Sequence, residues 1–387
     1  MKYDIVKRLR RLCACLVGIT FCISGILKLM DPVGAMLVVR EYFAFFHIGF
    51  MNPAAKFFAV LFALAEAIIG TGLITGVWRK TFAVIVTAFQ IFFTLLTLIL
   101  VIWNPVMDCG CFGEAVHLSH LQTLGKNLIL CALLAGAFIP FRNLGVPKKL
   151  KYVSFGIVSL SMTAFMIYSL LYIPLVDFTA YKTAASLVGR EHNFEASFIY
   201  EKNGERREFD LDELPDSSWT FVETTVQNTE YEQNAVLSLS DIDGNYCDGI
   251  VEGDRILAVS VFDPGRVSAH KWNKIGNFVS EAQSFGFRPI IITTFGADIP
   301  ENTIADENLY FSDYKTLISL NRSNGGITMI NGGYIIKKWA YIQLPDTKEL
   351  QLIHDTNITE ILLNHSSKGK LAFNGFLLYV FAVLFLL

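Results

Sequence analysis

The stretch "DCGCFGE" (Asp108–Glu114) places two cysteines one glycine apart, between two long apolar runs. Gly110 frees the backbone to turn tightly, and cysteines this close in the chain can come within disulfide reach. A bond between Cys109 and Cys111 would close a very small ring, and strained or exposed disulfides are the more easily reduced ones. The spacing therefore favours an exchangeable thiol pair over a stabilising crosslink, because so short a loop removes little chain entropy.

Two alternatives to a redox-active pair stay open. The stretch Asp108–Glu114, called the thiol hairpin below, could be a structural loop or could hold an inert disulfide. Cys109 and Cys111 could also join His117 and His120 in binding zinc or copper(I). That spacing is not the one of common zinc fingers, and the interpretation favoured for the two histidines is that of polar anchors at headgroup level.

The apolar runs on either side of the hairpin indicate a membrane protein. The chain has 387 residues, of which 53% are hydrophobic, and this is too apolar for an ordinary soluble domain. A bilayer core needs about 20 apolar residues per helix. Basic residues precede the first run, as in a signal peptide, but no small-residue cleavage site follows it. Five segments meet the length, and a sixth is short: 12–29, 54–77, 81–103, 121–141, 152–173 and 371–387.

The charges divide the chain into two parts. Residues 1–176 hold 15 Lys and Arg against six Asp and Glu, whereas residues 177–387 hold 17 against 29. The N-terminus and the loops after the second and fourth runs are basic, and the loop Asn104–Gln122 has no Lys or Arg. By the positive-inside rule we expect the N-terminus to be cytoplasmic. The thiol hairpin and the acidic part are then expected outside the cytoplasm, in a periplasm if the cell has one. No basic stripe supports nucleic-acid binding.

Two further features lie in the membrane part. Glu66 falls in mid-span, where a carboxyl group is costly and suggests function. It could relay protons or contact a quinone, with Gln90 at similar depth as a cofactor-binding residue. Alternatively, Glu66 and Gln90 could form a structural pair that holds the helices together. Lys28 ends the first run on the hairpin side and could stabilise a thiolate. The stretch 33–52 is apolar but broken by charges, which predicts an interfacial or re-entrant helix.

Three motifs carry a resemblance to a known family. "SGILKLMDP" (Ser24–Pro32), "EAIIGTGLITG" (Glu66–Gly76) and "DCGCFGE", in this order, resemble the MauE/DoxX-like membrane proteins. The chain is most similar to methylamine-utilisation MauE and to its longer Bacteroidetes-type members with an extracytoplasmic extension. The likeness covers about residues 10–142.

The resemblance implies a four-helix membrane core, with a layout akin to the vitamin K epoxide reductase bundle. It implies a role in forming disulfides or in maturing an extracytoplasmic protein partner. A fifth helix and a large additional domain depart from the small family members and argue against a role specific to methylamine. The positions that the resemblance singles out are the thiol pair Cys109 and Cys111, together with Ser24, Lys28 and Glu66.

The acidic part changes to short strands and turns after Asp177. Residues 255–262, 288–295 and 308–312 are predicted as strands, with helices over 264–285 and 313–321 and a hairpin over 326–339. This order is typical of a thioredoxin-like fold, although another small α/β domain would also fit. Such a fold usually has a cysteine pair before its first helix and a cis-proline before its hairpin. Here the first position reads "FDPGR" (Phe262–Arg266), without cysteine, and the second reads "SNGGI" (Ser323–Ile327), with glycine in place of proline. The domain is therefore expected to bind a partner and not to exchange electrons.

The sequence thus predicts an α-helical membrane bundle with an α/β extracytoplasmic domain. The domains are expected at residues 1–142, a linker with the fifth helix at 143–176, and the outer domain at 177–368. The thioredoxin-like part is expected at about 254–345, and a C-terminal helix at 370–387. The expected function is membrane thiol–disulfide exchange. A quinone is the possible cofactor, and Glu66 would contact it. The alternative is a non-enzymatic scaffold or assembly factor with a structural cysteine loop.

Overall fold

The computed structural model describes residues 2–105, 107–139, 147–188, 196–202, 205–209, 215, 219–226, 236–296, 299–300 and 306–386. The α-helices are α1 Lys2–Met30, α2 Pro32–Phe45, α3 Ala55–Thr75, α4 Arg79–Trp103, α5 His120–Phe138, α6 Lys149–Leu171, α7 Ala269–Ser284, α8 Tyr314–Leu320, α9 Thr347–Asp355 and α10 Ile358–Leu386. The strands are β1 Cys111–Glu114, β2 Ala196–Lys202, β3 Glu205–Phe209, β4 Thr220–Val226, β5 Ile256–Val261, β6 Arg288–Thr293, β7 Leu309–Phe311, β8 Gly326–Asn331 and β9 Tyr334–Trp339.

Within these ranges, six helices are long and apolar enough to cross a membrane: Ile5–Met30, Gly49–Thr75, Arg79–Trp103, His120–Phe138, Lys149–Leu171 and Ile358–Leu386. The first five coincide with the five runs read from the sequence. The last helix, α10, begins at Ile358, well before the expected residue 370. Its first turns are helical because Ile358, Ile361 and Leu362 pack against the core of the mixed sheet described below.

Glycines bring α1 and α3 into close contact. A Cβ added at Gly25 would lie 2.4 Å from the backbone nitrogen of Ala67, and one at Gly70 would lie 2.4 Å from that of Cys22. Only residues without a side chain fit at such crossings, which is how small residues let membrane helices approach. This close packing sets the distance between polar groups that α1 and α3 carry near the thiol hairpin.

Two helices with well-defined starts lie beside the thiol hairpin. Pro32 opens α2, and the Asp31 carboxylate caps it by accepting a hydrogen bond from the Gly34 amide at 2.9 Å. On the other side a capping box opens α5, in which Ser119 and Gln122 each accept from the other's backbone amide. The predicted helix within 33–52 is thus α2, followed by a 3₁₀ segment at Gly49–Ala54.

A five-stranded mixed sheet follows the membrane part, in the order β7-β6-β5-β8-β9. Strands β5, β6 and β7 run parallel, and β8 and β9 are antiparallel to their neighbours. Apolar residues of α7 cover one face with Trp272, Ile275 and Phe278, at the helical spacing seen in the sequence. Residues 236–355, which contain this sheet and α7 to α9, are called the sheet domain below. The predicted order of strands and helices is the observed one.

A second, three-stranded antiparallel sheet has the order β3-β2-β4. Strands β2 and β3 pair around the predicted turn, as in the register Lys202↔Glu205. Asn203 and Gly204 of that turn lie outside the described residues.

The sheet domain lies at the end of the helix bundle that carries the thiol hairpin. Tyr314 of α8 accepts a hydrogen bond from Arg40 of α2 at 2.8 Å, and Ile318 packs with Ala35 and Met36 of α2. At the opposite end of the bundle, Lys151 of α6 donates to the carbonyl of Leu384 near the end of α10.

Candidate functional site

A buried ion pair lies between α1 and α3 beside the hairpin. The ammonium of Lys28 is 2.6 Å from Oε1 of Glu66 and 2.8 Å from Oε2. The side chain of Glu66 is 3% exposed and that of Lys28 is 15% exposed, so water solvates neither charge well. The Glu66 carboxylate therefore holds the Lys28 ammonium beside the hairpin.

Ser24 connects this ion pair to the hairpin. Its Oγ is 2.6 Å from Oε2 of Glu66 and 2.6 Å from the carbonyl oxygen of Cys111. A serine hydroxyl carries one proton and can donate to only one of two acceptors at a time. The Glu66 carboxylate and the Cys111 carbonyl therefore compete for the single proton of Ser24.

Three helices hold the thiol hairpin. Besides Ser24 of α1, Tyr42 of α2 donates its hydroxyl to the carbonyl oxygen of Cys109 at 3.1 Å. From α5, the ammonium of Lys126 lies 4.9 Å from the centre of the Phe112 ring, within the range of a cation–π contact. Both cysteine carbonyls are therefore fixed, one by a hydroxyl of α1 and the other by a hydroxyl of α2.

Gly110 is required by both conformation and space. Its φ is +62°, a left-handed value that glycine adopts at no steric cost. A Cβ at this position would also lie 2.5 Å from Cγ1 of Val38 on α2. A side chain between the two cysteines would therefore clash with α2.

The two thiols differ in exposure. Cys109 is buried and Cys111 is partly exposed, and the structure contains both as free thiols. Burial raises the pKa of the Cys109 thiol, and Cys111 and Asp108 add to this effect, whereas Thr123 and Lys126 act in the opposite direction. The thiol form therefore dominates at neutral pH. Lys126 is a nearby cation that the sequence did not single out.

Burial also raises the pKa of the Tyr42 hydroxyl, and the neighbouring Cys109 and Cys111 act in the same direction. Tyr42 therefore remains a neutral donor to the Cys109 carbonyl at any ordinary pH. Nothing in the local sequence marked this tyrosine, because its role depends on how α2 folds back over the hairpin.

Gln90 of α4 is buried at the same site but bonds to α5 rather than to Glu66. Its Nε2 donates to the carbonyl oxygen of Asn127 at 3.2 Å, and Nδ2 of Asn127 donates to Thr97 at 3.0 Å. The predicted Glu66–Gln90 pair is replaced by a polar contact between α4 and α5.

A cavity of about 540 Å³ joins these groups. Its wall is mainly apolar, and the side chains of many phenylalanines contribute to it. The residues with polar, ionisable or thiol groups around it include Ser24, Lys28, Tyr42, Glu66, Gln90, Thr97, Cys109, Cys111, Lys126 and Asn127. A mostly apolar cavity with a few convergent polar groups is the usual form of a small-molecule site.

The metal alternative gains no support from the described residues, among which no group of three or more His, Cys, Asp or Glu side chains could hold an ion. Nδ1 of His117 lies 3.0 Å from the carboxylate of Asp108. The two ring nitrogens of His120 contact the side chain of Asn104 and the carbonyl of Met107. Both imidazoles therefore serve to hold the loop that leads into α5.

The six apolar helices and the polar site buried among them define an integral membrane protein with a mixed α/β sheet region. Residues 6–140, about a third of the chain, match the model of the family described as "Methylamine utilisation protein MauE". This N-terminal region is similar to the MauE family over those residues, as its motifs predicted. Residues 194–227, which include β2, β3 and β4, match a family described as a domain of unknown function, DUF8463. No curated protein and no solved structure matches the chain.

Proposed function

We propose that the MauE-type region, within residues 1–142, catalyses thiol–disulfide exchange through Cys109 and Cys111. The observation that carries this proposal is that both cysteines line the cavity that also contains the buried Lys28–Glu66 pair. A structural loop alone has no need of an ion pair buried beside it, since ion pairs within the membrane are expensive and mark functional pathways.

The electron acceptor that suits the cavity is a quinone. An apolar wall with phenylalanines favours a flat apolar ring, and Lys28, which lines the cavity, carries three N–H donors against two contacts to Glu66. Gln90 also lines the cavity and would exchange its bond to the Asn127 carbonyl for one to a quinone oxygen. The reduced pair would give two electrons and two protons to the quinone, which yields the hydroquinone and the Cys109–Cys111 disulfide. A dithiol of a protein partner would then reduce this disulfide by exchange and become a disulfide itself.

Glu66 is proposed to take part in the proton transfer that this reaction needs. In its protonated form it would complete the chain of hydrogen bonds through Ser24 to the carbonyl of Cys111. Deprotonation breaks one link of that chain, because Ser24 has only one proton to donate. Lys28 then stabilises the carboxylate that remains.

The proposed orientation puts the hairpin and the sheet domain on the periplasmic side of a bacterial inner membrane, where thiols can be oxidised. The basic loops at the opposite end of the bundle support it. The outer part would extend over residues 177–368, preceded by the linker and fifth helix at 143–176.

The sheet domain is proposed to be thioredoxin-like, centred on about 254–345. A parallel β5-α7-β6 unit, an antiparallel β8-β9 hairpin and the following α9 support this assignment. The position that carries a cysteine pair in that fold is here Asp263, Pro264 and Gly265, before α7. The domain is therefore proposed to bind or dock and not to exchange electrons.

The test is a reaction of the reduced, full-length protein in detergent with a short-chain quinone, followed by the quinone absorbance and the free-thiol count. We expect two thiols to be lost for each quinone reduced, no reaction in Cys109→Ser or Cys111→Ser, and full reaction in Cys247→Ser, whose cysteine lies in the sheet domain. If the thiols of the unmodified protein persist at saturating quinone, the scaffold alternative replaces this proposal.

A further inference from the structure

Arg322 is a buried cation at the contact between the sheet domain and the membrane part. It stands four residues before β8, and its side chain is 5% exposed. Its Nε and one terminal nitrogen contact Oδ2 of Asp31 at 3.0 and 2.8 Å. The same terminal nitrogen is 3.1 Å from Oε1 of Glu114, and the other donates to the carbonyl of Ile318.

Both carboxylates that Arg322 contacts belong to the frame of the thiol hairpin. Glu114 ends β1, three residues after Cys111, and Asp31 caps α2, which covers the hairpin. The two carboxylate side chains pack tightly against Gly34. A Cβ added at Gly34 would lie 2.5 Å from Oδ2 of Asp31 and 2.8 Å from Cγ of Glu114. One guanidinium thus ties the sheet domain to both sides of the hairpin.

A second buried ion pair reinforces the same contact. The ammonium of Lys338 on β9 is 2.7 Å from Oδ2 of Asp177, in the segment that leads from α6 into the sheet domain. The two side chains are 4% and 17% exposed. Next to these pairs, Ile318 of α8 is buried with Ala59 and Met36 of the membrane part. Charge and apolar packing therefore hold the sheet domain in one place.

This contact is connected to Cys109 through α2 and β1. The α2 helix begins at the Asp31 cap that Arg322 holds, and its Tyr42 donates to the Cys109 carbonyl. The β1 strand ends at Glu114, which Arg322 also holds. We propose that Arg322 latches the sheet domain over the thiol hairpin, so that access to Cys109 from water requires the Arg322–Asp31–Glu114 contact to open. This inference concerns access alone and holds whether or not the thiols transfer electrons.

The latch is tested by the rate at which a bulky, membrane-impermeant maleimide modifies Cys109 in the full-length protein, with all other cysteines replaced except Cys22. Cys22 is fully buried between α1 and α3 and reports unfolding. We expect Arg322→Met to raise the rate at Cys109 at least about tenfold while Cys22 stays protected, since hydrogen bonds to charged groups are the strong ones. Arg322→Lys keeps the positive charge but lacks the planar guanidinium, which can contact two acceptors at once. Its rate at Cys109 should lie between the rates of the unmodified protein and of Arg322→Met.

The matched control is Arg266→Met, whose side chain is 69% exposed on the same domain and which should not change the rate. If Arg322→Met also exposes Cys22, the test uses Glu114→Gln instead, because Glu114 is only partly buried. We then expect a smaller increase in the modification rate, at Cys109 alone. An unchanged rate at Cys109 in a folded Arg322→Met protein, or in Glu114→Gln where that variant decides, overturns the latch. Quinone reduction by the unmodified protein is unaffected by that result, so the two proposals fail separately.

Discussion

Replacing Glu66 with leucine is expected to cost about 3–5 kcal/mol of folding stability, because it leaves the charge of Lys28 buried without a partner. The Lys28 ammonium has both Glu66 oxygens within 2.8 Å, and the described hydrogen bonds give it no other carboxylate. A loss of this size is a large fraction of the free energy of unfolding of a typical protein, about 5–15 kcal/mol. The measurement is the thermal unfolding midpoint of the protein in detergent.

The double variant Lys28→Met/Glu66→Leu separates the ion pair from general disruption. It removes both charges and is expected to recover most of the stability that either single change loses, since an apolar pair can replace a buried ion pair. The exposed pair Lys315–Glu41 is the control, and its removal should change the midpoint little. Additive losses in the double variant would contradict the assignment of a coupled, buried pair. The double variant is also expected to lose the proposed quinone reaction.

Gly70→Ala is expected to cost about 1–3 kcal/mol or more, because an added methyl group in a packed core forces the backbone apart. The new Cβ would lie 2.4 Å from the nitrogen of Cys22 and 2.6 Å from the carbonyl of Gly18, and neither is a flexible side chain. Separation of α1 from α3 would also lengthen the distance between Lys28 and Glu66. The unfolding midpoint and the quinone reaction are both expected to fall.

Gly125→Ala is the matched control for this change. Gly125 lies in α5, and a Cβ there has no neighbour within 4 Å. Alanine is also the better helix former, so the midpoint should stay the same or rise slightly. Equal losses in the two variants would show that the α1–α3 contact is not as close as described.

Much of the fold follows from local patterns in the sequence. The run 54–77 became α3, Ala55–Thr75, and the predicted strand at 255–262 became β5, Ile256–Val261. An apolar run of bilayer length or a short β-branched run determines its own element, because the pattern lies within one segment. The early start of α10 was missed, since its first turns are stabilised by packing against the sheet domain.

The site was predictable only in part. The motifs pointed to Cys109, Cys111 and Glu66, but their contacts depend on packing between distant segments. Arg322 and Asp31 are 291 positions apart in the chain, and no local pattern relates them. For the same reason Gln90 was assigned to Glu66 by depth alone, whereas the rotation of α4 directs it to Asn127 of α5.

The central claim is that Cys109 and Cys111 cycle between dithiol and disulfide. The direct measurement is acid-quenched alkylation of the two thiols in growing cells, with a mass tag on each cysteine that becomes free after reduction. We expect two tags in the unmodified protein, and a larger dithiol fraction when quinone is depleted. In Glu66→Gln, quinone depletion should not change the dithiol fraction. A pair that stays fully reduced, or fully oxidised, in all of these conditions would contradict it.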